Sequence, residues 1–158
     1  MNERRIIEIF SGQYVVSKNQ NLIISTILGS CVAVCLYDKW AKVGGMNHFM
    51  LPTSNKSNHR NQNSNGIYGL PSLEIMITEL LQSGAHKSRL EAKVFGGAKV
   101  VKELPPNIPQ ANIEFTLDYL NKNHIQLISA DTGGESGRKI HFDLSDFSVY
   151  VKTMSNRA

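Results

Sequence analysis

Apolar residues come in short, often β-branched runs over the first third of the chain, then change to helical spacing. Tyr14-Val15-Val16, Leu22-Ile23-Ile24, the run from Val32 to Tyr37 and the stretch from Lys42 to Leu51 are separated by polar breaks and read as strands. From Pro71 to Ser83 the pattern is helical. Leu73, Ile77, Leu80 and Leu81 share one face, Pro71 suits the first turn and Gly84 suits the stop. Ala92-Lys93-Val94-Phe95 predicts a buried strand ending in Gly96-Gly97, and Ile125 to Ala130 predicts another. Between them a second helix, from near Pro109 to Asn121, places Ile113, Leu117 and Leu120 on its apolar face. Lys139 to Phe142 and Phe147 to Lys152 form a closing hairpin across Ser145-Asp146. Strands first, then helices and strands mixed, predict an α/β sandwich of sheet and two packed helices.

The polar breaks sharpen this picture. Positions 53–66 hold no apolar residue and are rich in Asn and Ser, which predicts a long, mobile surface loop. Pro105-Pro106-Asn107-Ile108-Pro109 and the segment from Asp131 to Gly137 are the other two interruptions. With 158 residues and no internal repeat, the chain is expected to be one domain, 1–158. The longest apolar run, Cys31 to Tyr37, is far short of a membrane span. Glu8 interrupts the apolar stretch after Arg4 and Arg5, so the N-terminus does not read as a signal peptide, and a cytoplasmic protein without membrane insertion is expected. The net charge of +4 is mild and its basic residues are scattered, which argues against nucleic acid as a partner.

Cys31 and Cys35 are the only cysteines. A disulfide is a poor fit to the expected compartment, and a zinc site would need about four ligands, for which no second cysteine pair exists. The pair is therefore packing or chemistry. Cys35 lies deep in an apolar run and reads as a small core hydrophobe. Cys31 follows Gly29-Ser30 between two predicted strands. A tight turn there can push a thiol and neighbouring backbone N–H groups into one pocket, as a nucleophile and its oxyanion hole require, although a buried packing cysteine fits the same fragment. His48 ends the next strand. It suits a base for the thiol, or equally a histidine satisfied by a backbone carbonyl. His59, His86, His124 and His141 read as surface residues. Ser25 and Thr26, on the strand before Cys31, offer hydroxyls that could orient a histidine.

Taken in order, Leu28-Gly29-Ser30-Cys31-Val32-Ala33-Val34, then Val43-Gly44-Gly45-Met46-Asn47-His48-Phe49-Met50-Leu51-Pro52, then Leu90-Glu91-Ala92-Lys93-Val94-Phe95-Gly96-Gly97-Ala98, then Ala130-Asp131-Thr132-Gly133-Gly134 resemble the CheD family of chemoreceptor glutamine deamidases. The likeness runs from about Gly12 to Lys152. It implies a layered α/β sandwich with mixed β-sheets and two main helices, similar to the catalytic domain of the cytotoxic necrotizing factor toxins. It also implies hydrolysis of selected glutamine side chains on methyl-accepting chemoreceptor cytoplasmic domains, with no metal or organic cofactor. A CheC-type phosphatase is the further partner it implies.

Carried onto this chain, the resemblance makes Cys31 the nucleophile and His48 the general base, with Gly29 and Ser30 forming the turn and oxyanion region. The third member is a threonine six residues before the nucleophile in the family motif. That spacing selects Ser25, whereas residue type selects Thr26, and spacing is followed here. Ile108-Pro109-Gln110-Ala111-Asn112 departs from the family's Ile-Gly-x-Arg-Asn by losing the Gly and the Arg, which weakens the expectation of CheC binding. Two rival readings are a non-catalytic adaptor on the same fold and a thiol hydrolase or transamidase acting on other proteins.

Overall fold

A computed structural model describes residues 3–50, 69–100 and 107–154. The loop expected at 53–66, with His59 in it, and the Pro105-Pro106 pair lie outside the described residues. Five strands come first: β1 (Arg5–Glu8), β2 (Tyr14–Ser17), β3 (Leu22–Leu28), β4 (Val32–Asp38) and β5 (Val43–Asn47). Helix α1 (Gly69–Gln82), strand β6 (Glu91–Gly96) and helix α2 (Asn107–Lys122) follow, and β7 (Gln126–Thr132), β8 (Arg138–Asp143) and β9 (Ser148–Thr153) complete the order.

The strands form two sheets, β1-β3-β8-β9 and β2-β5-β4-β6-β7. Both are mixed, because β1 runs parallel to β3 and β6 parallel to β7 while the other pairs are antiparallel. Side chains alternate across a strand, so the central strand β4 supplies two cores. Ala33, Cys35 and Tyr37 pack between the sheets against Ile24, Leu28, Ile140 and Phe142. Val32, Val34 and Leu36 pack on the other side against Leu73, Met76 and Leu80 of α1 and Ile113 and Leu120 of α2. Being covered on both faces is why β4 reads as one continuous apolar run. The architecture is thus sheet, sheet, helices, an α/β sandwich.

Two expectations are corrected and one strand is added. The apolar helix faces turn slightly from those expected: Leu81 and Leu117 are 40% and 36% exposed, while Met76, Ile108 and Tyr119 are buried. Strand β1 has no counterpart in the sequence pattern; it is an edge strand with only Ile7 packed inward, so it lacks a two-sided pattern. Strand β5 stops at Asn47, and beyond it Phe49 makes a separate antiparallel bridge with Val32.

Candidate active site

Cys31 sits immediately before β4 and His48 immediately after β5. The two strands are antiparallel, with Cys35 opposite Met46, and the same register recurs at the bridge of Val32 to Phe49. Continuing it sets His48 opposite Ala33, so Cys31 and His48 are diagonal neighbours on the face that looks toward the first sheet. Diagonal pairs lie about 7–8 Å apart between backbones, within reach of a long side chain. Asn47, on the opposite face, holds this strand end in place: its Oδ1 accepts from Val34 N–H at 2.9 Å and its Nδ2 donates to Ser72 Oγ at 2.9 Å.

The hydroxyl beside His48 belongs to Thr26. Thr26 Oγ1 lies 2.7 Å from His48 Nδ1 and donates to the Ile9 carbonyl at 2.6 Å. A threonine hydroxyl has one proton and a carbonyl can only accept. With that proton committed to Ile9, Nδ1 must be the donor in the contact with Thr26. Neutral His48 therefore carries its proton on Nδ1 and keeps the Nε2 lone pair free. Ser25 faces the other side of β3, paired in register with Glu8 and His141, and its buried Oγ has no hydrogen-bond partner among the described residues. The spacing that selected Ser25 thus gives way to the geometry. Thr26 is on the side of the first sheet that meets His48, and a one-residue step reverses the face.

The turn between β1 and β2 closes over this group. Gly12 N–H donates to His48 O at 2.8 Å, His48 N–H donates to Gln13 O at 3.1 Å, and Ser11 bonds the Cys31 thiol. On the other side, Gly97 N–H donates to Cys31 O at 2.9 Å. Gly96 and Gly97 have φ of +110° and +72°, and a Cβ on Gly96 would fall 2.2 Å from Cys31 O, so a side chain there collides with the Cys31 turn. Cys31 is half-buried and His48 is buried. Burial raises the thiol above its usual range, and the Ser11 hydrogen bond partly opposes this. Burial also lowers the His48 imidazole to about 4. Cys35 is fully buried in the inter-sheet core, and burial holds its thiol protonated.

Known proteins resemble this chain along most of its length. The family model described as CheD chemotactic sensory transduction matches residues 50–153. A Shewanella oneidensis protein named "Probable chemoreceptor glutamine deamidase CheD 2" is 43% identical, the match covering 99% of this chain and 80% of the relative. The chain belongs to the CheD family. CheD relatives from Bordetella avium and Rhizobium etli, also named as probable chemoreceptor glutamine deamidases, are 41% and 43% identical, over 97% and 87% of this chain and 67% and 74% of theirs. Among solved structures, a Bacillus licheniformis hypothetical protein YfiH has a TM-score of 0.46 at 12% identity, covering 82% of this chain and 60% of that one.

The CheD family model begins after His48, so it is the nearly full-length relatives that span Cys31 and His48. Among the described residues no cluster of His, Cys, Asp or Glu is placed to hold a metal ion, and no helix is long and apolar enough to cross a membrane. His86 and His124 are exposed and His141 is half-buried on β8. Three contributors were missed from sequence: Ser11, the Ile9 carbonyl, and Asn112, whose Nδ2 donates to Ser30 O at 2.9 Å. The available signals were the polar break at Ser11-Gly12-Gln13 between two short apolar runs and the Asn that the Ile108–Asn112 stretch keeps from the family motif.

Proposed function

We propose that this CheD protein deamidates glutamine side chains of methyl-accepting chemoreceptors, with Cys31 as nucleophile, His48 as base and Thr26 as the residue that orients His48. The observation that carries the reading is the locked imidazole: Nδ1–H held by Thr26 leaves Nε2 as the acceptor, on a histidine that the strand register sets diagonal to Cys31. The names of the relatives supply the substrate class.

At neutral pH the thiol and imidazole both rest uncharged, since burial disfavours each ion. The thiol proton then passes to Nε2 as sulfur attacks the carboxamide carbon. The resulting imidazolium gives that proton to nitrogen as ammonia leaves, forming a thioester. His48 next takes a proton from water, whose oxygen attacks the thioester carbon, and cleavage returns the thiol and releases glutamate. On this reading, backbone N–H groups at the Gly29-Ser30-Cys31 turn stabilise the oxyanion, a contribution of about 3–4 kcal/mol per donor in hydrolases that use one.

The test incubates purified protein with a chemoreceptor cytoplasmic fragment and reads conversion of Gln to Glu by mass spectrometry. Cys31→Ala is expected to abolish conversion, and undiminished conversion would sink the assignment. A pull-down with the same fragment separates catalysis from an adaptor role, since binding should survive Cys31→Ala. Binding of a CheC-type phosphatase rests on the family resemblance. Of the stretch that departs from the family motif, Ile108, Pro109 and Asn112 are buried and Gln110 is exposed.

A further inference from the structure

The turn carrying Cys31 presents three successive carbonyls, each held by a donor from the chain after β6. Ala98 N–H donates to Gly29 O at 2.8 Å, Asn112 Nδ2 donates to Ser30 O at 2.9 Å and Gly97 N–H donates to Cys31 O at 2.9 Å. Two of the three are backbone groups. Only the middle peptide, which joins Ser30 to Cys31, is fixed by a side chain. Asn112 is fully buried on α2, and because a carbonyl can only accept, its amide nitrogen must be the end that faces Ser30.

A trans peptide sets N–H opposite C=O, and no cis bond occurs among the described residues. Holding Ser30 C=O toward α2 therefore turns Cys31 N–H away from the helix, to the open side of the turn. Val32 N–H is already taken by Phe49 O at 2.9 Å. Among the described residues neither Ser30 N–H nor Cys31 N–H meets a hydrogen-bond acceptor. A backbone N–H at a half-buried turn, with no protein acceptor, is suited to an incoming one.

Resting on the reading of Cys31 as nucleophile, we propose that Asn112 is a positioning residue of the oxyanion hole, aiming Cys31 N–H by clamping the Ser30 carbonyl. Its role runs through the Ser30–Cys31 peptide that it holds. Its effect should appear only in a reaction that develops an oxyanion.

The experiment compares two reactions of one sulfur in the full chain. Deamidation builds a negative oxygen; alkylation by iodoacetamide displaces iodide from carbon and builds none. Cys35 is fully buried, and Cys31→Ala gives its background. In Asn112→Ala, kcat for deamidation should fall about 10- to 100-fold, the scale of a small misplacement in an active site, with KM and the Cys31 alkylation rate unchanged. Asn112→Asp preserves volume and serves where the alanine variant fails to fold. Its ionised carboxylate cannot donate to Ser30 O, whereas the protonated acid can, so its deficit relative to wild type should shrink as pH falls. Unchanged kcat in both variants overturns the proposal, as does a parallel loss of deamidation and alkylation, the mark of a merely structural role. Deamidation that persists in Cys31→Ala would instead remove the nucleophile reading beneath it, a failure seen in a different protein.

Discussion

Replacing Thr26 by Val removes a hydroxyl while nearly preserving shape, and the structure lets its cost be worked out. The hydroxyl makes two buried contacts, to Ile9 O at 2.6 Å and to His48 Nδ1 at 2.7 Å. The Thr26→Val variant would leave a carbonyl and an imidazole N–H without partners. Each such buried group costs about 1–3 kcal/mol, and the ring can relieve one by changing tautomer, so a net destabilisation of about 2 kcal/mol is expected. Under the proposed mechanism that relief harms catalysis, because moving the proton to Nε2 removes the lone pair the mechanism uses as its base. Loss of about 1 kcal/mol of bias lowers the competent tautomer several-fold, and freeing the ring adds a positional loss, together about 10- to 100-fold in kcat. Thr26→Ser keeps the hydroxyl and should retain most activity. Ser25→Ala is the contrast. Its Oγ is buried without a partner among the described residues, so removing it should leave activity unchanged and stability within about 0.5 kcal/mol of wild type or slightly above it. Urea unfolding gives the stabilities and single-turnover Gln-to-Glu conversion gives the rates. A silent Thr26→Val beside a crippling Ser25→Ala would refute the reasoning outright.

Three further outcomes follow from the same geometry. His48 has a folded value of about 4 against an ordinary 6.5, so its neutral form stabilises the fold fully above about 6.5, and that stability is lost as pH falls toward 4. Between pH 7 and 5 this amounts to about 2 kcal/mol, which urea melts of wild type should show and His48→Gln should lack. Removing the hydrogen bond that partly offsets burial of the thiol, in Ser11→Ala, should shift the pH profile of Cys31 alkylation upward; a downward shift would mean Ser11 does not favour the thiolate. Gly96→Ala places a Cβ 2.2 Å from Cys31 O at a φ of +110°, so it should destabilise by about 1–3 kcal/mol and inactivate, read by thermal melting and deamidation together.

How far the fold was legible depends on how one-sided each element is. Strand β4 was plain because both its faces are covered, and the α1 helix was plain because Leu73, Ile77 and Leu80 recur at helical spacing. Edge strand β1 has a single inward side chain and left no pattern. Cys31 was readable because it opens an apolar run after Gly29-Ser30, and His48 because it closes the strand that carries Gly44-Gly45. Asn112 was not readable as a partner of the turn, since it meets Ser30 across 82 residues of chain through a contact only the packing of α2 creates.

The choice between Ser25 and Thr26 shows where reading by spacing fails. In β3 the sequence Leu-Ile-Ile-Ser-Thr-Ile-Leu has apolar residues on both faces, with Leu22, Ile24 and Leu28 buried and Ile27 46% exposed. Alternation therefore cannot say which hydroxyl looks inward. Counting back from Cys31 does no better, because Gly29-Ser30 is a turn, and strand parity is not carried through a turn. What decides the face is the other sheet: Thr26 shares its side with Ile24 and Leu28, which pack on β4, and so meets the histidine that ends β5. The hydroxyl that meets His48 is thus specified here by the inter-sheet core rather than by its distance from Cys31. Substitutions that keep Ile24 and Leu28 packed should preserve the Thr26–His48 contact even where the turn length changes.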